Sequence, residues 1–274
     1  MSLSVMRRRP LSPVERQRRA LLRTLLRREI RGRYKGSALG LAWTFILPFS
    51  VVIAYSAIFH YVYKVVDIPD YPLFLLSGMV GWFFFAAGVQ AASESIVGNA
   101  NLVKKVRFPR QLIPFSAVAG HGMTLLAMLA LLIPANLIVV PDARSPALIM
   151  LPVVLLLLAV MTYGFGLILS ALNVYFRDVQ YILGALLLPW FFLTPIFYTS
   201  DVLPKGAQEF QWLTGVLEWG NFVAPYVIAI RDAAFFGEWP SAGHLAYCLI
   251  VAGAMLAVGE WVFRRLEGEM AVEL

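Results

Sequence analysis

Six stretches of this 274-residue chain are long, apolar and nearly free of charge, and they decide what it can fold into. They cover residues 39–59, 71–93, 112–140, 147–172, 181–198 and 245–263, and Glu260 is the one Asp, Glu, Lys or Arg among them. A helix needs about 20 apolar residues to cross the hydrocarbon of a bilayer. Composition agrees: the chain is 60% hydrophobic and 14% charged, against about 45–50% and about 25% in soluble domains. A soluble core cannot hide that excess, because most residues of a globule still meet water. The sequence therefore predicts an all-α membrane protein with six transmembrane helices, at about 39–63, 71–97, 112–140, 147–172, 179–198 and 244–263. One cysteine, Cys248, leaves no intrachain disulfide framework and no Cys-rich metal site.

Charge placement orients the spans. With the N-terminus in the cytoplasm, 19 of the 23 Lys and Arg residues lie inside, and only Lys64, Arg144, Lys205 and Arg231 lie outside. Short cytoplasmic loops collect Lys and Arg, so both termini are expected inside. The net charge of +7 then follows from membrane orientation and needs no nucleic-acid partner.

Residues 1–35 lack the compact apolar core and small-residue cleavage site of a signal peptide. From Pro13 they read as an amphipathic helix, with Ser12 as N-cap. Val14, Leu21, Leu22, Leu25, Leu26 and Ile30 share one half of the wheel. Arg16, Arg23, Arg27, Arg28 and Arg31 fill the other, while Arg18 and Arg19 sit in or near the apolar half. Such a helix lies flat on anionic headgroups. Two readings fit: a plain interfacial anchor, or a helix that also cradles phosphate groups at a substrate entrance.

Three connections are more than turns. Residues 99–108 make about two helical turns before Pro109, with Leu102, Val103 and Val106 on a small apolar face among Lys104, Lys105, Arg107 and Arg110. That suits docking into a partner's groove and equally suits an ordinary basic loop. Tyr175, Phe176, Arg177 and Asp178 sit where aromatic rings and offsetting charges favour a shallow membrane position, as a gate or as an anchored turn. Pro189 and Pro195 are expected to break the fifth span, and carbonyls freed there must face protein or a water-filled cavity. The long stretch 199–243 is expected to form short helices that dip into the outer leaflet and return.

Trp82, Phe83, Phe84 and Phe85, with Trp190, Phe191 and Phe192, lie well inside their spans. Flat rings there either pack helices together or stack on the C–H faces of sugars. The intramembrane polar residues are Gln90, Glu94, His121, Asn136 and Glu260; His121 has no visible metal partner, and Glu94 and Glu260 lie near the cytoplasmic ends within reach of water or Lys and Arg. No phosphate-binding loop, nucleophile elbow or zinc-protease helix occurs. A catalytic chain is therefore poorly supported, and no buried acid pairs suggest proton coupling.

Five segments in order carry a resemblance: REIRGRY at 28–34 running into GSALGLAW at 36–43; SG at 77–78 followed by WFF at 82–84; NLVKKVRFP at 101–109; NVYFRD at 173–178; and TPIFY at 194–198. In these, and over essentially its whole length, the chain resembles the membrane subunit of ABC-2-type polysaccharide exporters. That group moves O-antigen, capsular polymers and teichoic acids. The resemblance implies two permeases with two ATPase subunits in a bacterial plasma (inner) membrane. It also implies a polymer on an undecaprenyl-pyrophosphate lipid as substrate. ATP and magnesium would belong to the partner, with no cofactor and no metal on this chain. It further implies an interfacial helix at 13–34, a coupling helix at 99–108 (Asn101, Leu102, Val103, Lys104, Lys105, Val106), a gate at Tyr175–Asp178, and outer re-entrant helices at 199–236. Arg28, Arg31, Arg33 and Lys35 would line the lipid-pyrophosphate entrance. Trp82, Phe83, Phe84, Phe85, Trp190, Phe191, Phe192 and Tyr198 would line the channel. The basic extension through Pro10 departs from the pattern. An exporter of drugs or small lipids, a membrane glycosyltransferase and a partner-binding scaffold are the competing readings.

Overall fold

A computed structural model describes residues 13–34, 36, 39–58, 68–106, 108–140, 143–199, 212 and 215–274. Every regular element among the described residues is helical. Lipid explains why: a backbone removed from water must satisfy its own N–H and C=O groups, and a helix does so within one segment. The helices are α1 (Pro13–Tyr34), α2 (Trp43–Ser56), α3 (Tyr71–Gly98), α4 (Ala100–Lys105), α5 (Leu112–Val139), α6 (Leu151–Tyr175), α7 (Val179–Leu193), α8 (Ala224–Arg231), α9 (Ala242–Leu266) and α10 (Met270–Glu273). The 3-10 turn Pro146–Met150 leads into α6, and α8 lies between the π-turns Val216–Gly220 and Asp232–Phe236.

Four helices are long and apolar enough to cross a membrane: α3, α5, α6 with its lead-in, and α9. The shorter apolar helix α7 has 15 residues. Helix α2 supplies 14 residues of the first expected span, whose end at 59–63 lies outside the described residues. So do the tail 1–12 and most of 200–214.

Helix α3 is the central post. Phe74, Leu75, Met79, Val80, Phe85, Val89, Ala92 and Ile96 are all closed off from solvent, and α5, α6 and α8 pack around it. A helix enclosed on all sides is apolar all round. Helix α9 shows the opposite pattern. His244, Cys248, Ala252, Gly259 and Phe263 form its one buried stripe, against α6, while Leu249, Ile250, Val258 and Trp261 face outward. Helix α8 is buried among α3, α6 and α9, with Tyr226, Val227, Ala229 and Ile230 fully enclosed. Its hydroxyl-bearing ring is satisfied there, because Tyr226 donates to the Cys248 carbonyl at 2.6 Å.

Pro189 does not break α7. The helix runs through it to Leu193 and stops at Thr194, which is extended (φ −85°, ψ 135°) ahead of Pro195. The residue before a proline is driven to that conformation, whereas one proline inside a membrane helix is tolerated where neighbours satisfy the freed groups.

Candidate functional site

The two ends of the bundle differ, and the expected site residues fall mostly at the end that carries α1, α4 and the C-terminus. Helix α1 packs on α5; Leu25 is buried while Arg23, Arg27, Arg28 and Arg31 stand exposed. The Arg28 guanidinium donates to the Asn99 side chain. Asn99 in turn donates to the Ser95 carbonyl at 2.7 Å and accepts the Leu102 and Val103 N–H groups with its own carbonyl. Arg28, one of the expected entrance cations, is thus tied to the first turn of α4. The Arg33 side chain and Lys35 lie outside the described residues.

Helix α4 sits on a small apolar cluster of Val103, Ile96, Ile113, Leu167, Ala171, Val174, Phe263 and Met270. Leu102 is half-buried, and Asn101, Lys104, Lys105 and Val106 are exposed. The turn after α6 lies beside it. Tyr175 is half-buried and donates to the Leu266 carbonyl at 2.8 Å, while Phe176, Arg177 and Asp178 are exposed. Behind this turn, buried Asn173 donates to the Ser93 carbonyl at 3.0 Å and accepts the Gln180 N–H at 3.3 Å. Gln90 donates to Glu94 at 2.6 Å and to the Gln180 carbonyl at 3.4 Å. The gate candidate is therefore wired to α3 through two amide side chains, Asn173 and Gln90, and the Gln180 backbone.

The two aromatic runs meet. Trp82 lies 6.0 Å from Trp190 and 5.7 Å from Phe191 between ring centroids. Phe85 is 5.4 Å from Trp190, and Phe83 is stacked 6.4 Å from Phe191. Phe165 and Phe222 extend the set, the latter 4.8 Å from Trp190. Burial divides the eight expected channel rings. Trp82 (3%), Phe84 (4%), Phe85 (0%) and Phe191 (7%) are closed inside the chain and offer no open face. Phe192 is 44% exposed, and Phe83, Trp190 and Tyr198 are half-buried. A groove of about 470 Å³ runs beside Trp190, between Leu186, Leu193, Val216 and Phe222.

The family model for ABC-2 type transporters matches residues 20–216, a stretch that contains most of α1, all of α4, the turn after α6 and both aromatic runs. The chain belongs to the ABC-2 type transporter family. It is 37% identical over 189 residues to the O-antigen export system permease protein RfbA of Myxococcus xanthus, covering 68% of this chain and 71% of that one. To the protein of the same name from Klebsiella pneumoniae it is 28% identical over 92% of this chain and 93% of the other. The polysialic acid transport protein KpsM of Escherichia coli is 24% identical over 90% and 93%.

At its far end this ABC-2 chain carries a feature that pattern reasoning missed. The chain leaves the helix at Thr194, ahead of Pro195, so the carbonyls of Ile196, Phe197 and Tyr198 have no helical donors. Arg231 donates to Ile196 at 2.7 Å and to Tyr198 at 3.2 Å, and Tyr71 donates to Phe197 at 3.0 Å. These three carbonyls face protein. The Arg231 guanidinium, 2% exposed, also lies 4.0 Å from the centre of the Phe74 ring. Among the described residues no carboxylate bridges to it; burial instead raises the neighbouring Asp232 carboxyl to about 6. In the sequence Arg231 was one outer cation among four, with no signal of its own.

The remaining polar residues of the ABC-2 chain are largely accounted for by structure. Asn136 donates to the Ala234 carbonyl at 2.8 Å, and Glu260 pairs with Arg264 at 2.8 Å. His244 meets Glu218 at 2.8 Å under a stacked Trp219. Among the described residues no group of His, Cys, Asp and Glu is placed to hold a metal ion.

Proposed function

We propose that this ABC-2 chain is the permease of an ATP-driven exporter that carries a polysaccharide on an undecaprenyl-pyrophosphate lipid across the plasma membrane. One observation carries the reading: alignment runs almost end to end, 92% and 93% of the two chains, with a relative named as an O-antigen export permease. Two copies of the chain and two separate ATPase subunits form the working complex. The end with α1, α4 and the C-terminus faces the cytosol, which is where its clustered Arg and Lys belong.

Each part then has a task. Arg28, Arg31, Arg33 and Lys35 hold the pyrophosphate by charge-assisted hydrogen bonds, which are roughly twice as strong as neutral ones. Arg28 also reports to α4 through Asn99. Helix α4 docks on the ATPase, and its push moves spans as rigid bodies through the turn at Tyr175–Asp178. Phe83, Trp190, Phe192 and Tyr198 meet the polymer as it passes. Buried Trp82, Phe84, Phe85 and Phe191 hold those rings at their angles.

Changing Arg31→Ala together with Arg33→Ala is expected to raise the substrate concentration needed for half-maximal stimulation of ATPase activity by about tenfold or more. Hydrogen bonds to charged groups contribute roughly 1.5–3 kcal/mol each. The reconstituted complex, titrated with lipid-linked polymer, gives the measurement. Unchanged stimulation removes the phosphate-holding role. Loss of surface polysaccharide on deletion, restored by the intact gene, tests the export reading itself.

A further inference from the structure

The short segment at and beyond the end of α9 is held to the rest of the bundle at three points. Met270 is fully enclosed in the cluster beneath α4. The Leu266 carbonyl accepts the Tyr175 hydroxyl at 2.8 Å, and the adjacent Glu267 carbonyl accepts the Arg110 guanidinium. Two neighbouring carbonyls therefore bind the turn after α6 and the strap after α4 to the same short segment.

Between that segment and α4 lies a cleft of about 450 Å³. Val103 and Phe108 form its apolar floor, and Val106, 46% exposed, stands at its rim. Lys104, Lys105 and Arg110 outnumber Glu267, the one acid in its lining. Arg110 is committed to the Glu267 carbonyl; among the described residues neither lysine forms an ion pair. An apolar floor under unpaired cations suits a protein segment with a bulky apolar side chain and one or two carboxylates. The volume lies toward the lower end of ordinary ligand sites, roughly 300–1,000 Å³, and fits one or two side chains rather than a polymer.

We infer that residues 266–274 form the second wall of the dock, and that the cleft receives an acidic segment of the ATPase subunit. This rests on the reading of α4 as the ATPase-binding helix and adds the tail to it. Seated there, the partner pushes on α4 and, through the Leu266 and Glu267 carbonyls, on Tyr175 and Arg110. One contact thus loads both the strap and the gate.

The test uses the whole complex in native membranes. Gly268 lines the cleft, and a Cβ added there meets nothing within 4 Å, so the position is the one chosen for a photo-reactive benzoylphenylalanine. Irradiation is expected to attach the ATPase at position 268 and not at Val272, which is 84% exposed on the same segment. Gly268→Trp, which fills the cleft, is expected to cut ATPase co-purification about tenfold with no change in permease yield or melting temperature. Attachment to lipid or to a second permease overturns the inference, as does Gly268→Trp with full ATPase recovery. Lys104→Glu with Lys105→Glu separates the two claims. If that pair loses the ATPase while position 268 is silent, the dock at α4 stands and the tail's part in it is wrong. If the pair also recovers the ATPase fully, the reading of α4 falls with it.

Discussion

Arg231→Met should melt in detergent on the order of 10 °C below the parent chain, although methionine removes a buried charge. Burying a guanidinium is costly, and exchanging a buried charge for an apolar group is often neutral. Here the partners decide the sign. The Ile196 and Tyr198 carbonyls, in the non-helical stretch beyond α7, keep their positions and lose their donors. A buried polar group left unpaired costs about 1–3 kcal/mol, and two of them outweigh the charge relief. Each kcal/mol shifts the midpoint by roughly 2–4 °C in a chain of this size class. Arg231→Lys should fall between, since an ammonium lacks the planar fork that spans two acceptors. Gly78 provides an independent check. A Cβ there would come 2.7 Å from the Arg231 guanidinium, so Gly78→Ala should destabilise the parent chain and do much less in the Arg231→Met background. That non-additivity is the mark of direct coupling. A methionine variant that melts with the parent, or additive effects in the double variant, would show that the clamp contributes little.

How much of this was readable in the chain follows from where each signal lives. Placement of four of the six expected spans was legible because lipid disfavours charge, and the apolar runs match α3, α5, α6 and α9 closely. The amphipathic character of α1 was legible from spacing alone, and so was the reach of Glu260 to a basic neighbour, found as Arg264. The division among the aromatic rings was not. Trp82 and Phe83 are adjacent aromatic rings in one uncharged run, yet one is 3% exposed and the other half-buried, because neighbouring helices decide which ring is covered. Helix α8 was equally hidden. Its apolar run suggested a dip into the leaflet, while its place between α3, α6 and α9 depends on long-range packing. Arg231 was illegible for the same reason: its acceptors lie 33 and 35 residues away in sequence.

The other large effect is expected at Gly259→Leu. In lipid there is no hydrophobic drive between helices, so spans associate through close packing at small residues. Helices α6 and α9 carry this to backbone contact. A Cβ built on Gly164 would come 2.5 Å from the Leu256 amide nitrogen, and one on Gly259 would overlap the Gly164 carbonyl. Neither obstacle is a side chain that can rotate away, so the helices themselves must separate. The cost should exceed the ~1–3 kcal/mol of ordinary overpacking. Separation would also reach both ends of the bundle, because α9 supplies the Cys248 carbonyl to Tyr226 and the Leu266 carbonyl to Tyr175. Gly259→Leu should therefore abolish the monodisperse species in detergent. Gly253→Leu is the matched control on the same helix, exposed and with nothing within 4 Å of its Cβ position. It should be neutral or slightly stabilising, since glycine costs a helix interior about 1 kcal/mol relative to alanine. If the two leucine variants melt together, helix propensity accounts for both, and the α6–α9 backbone contact is not what holds the last span in place.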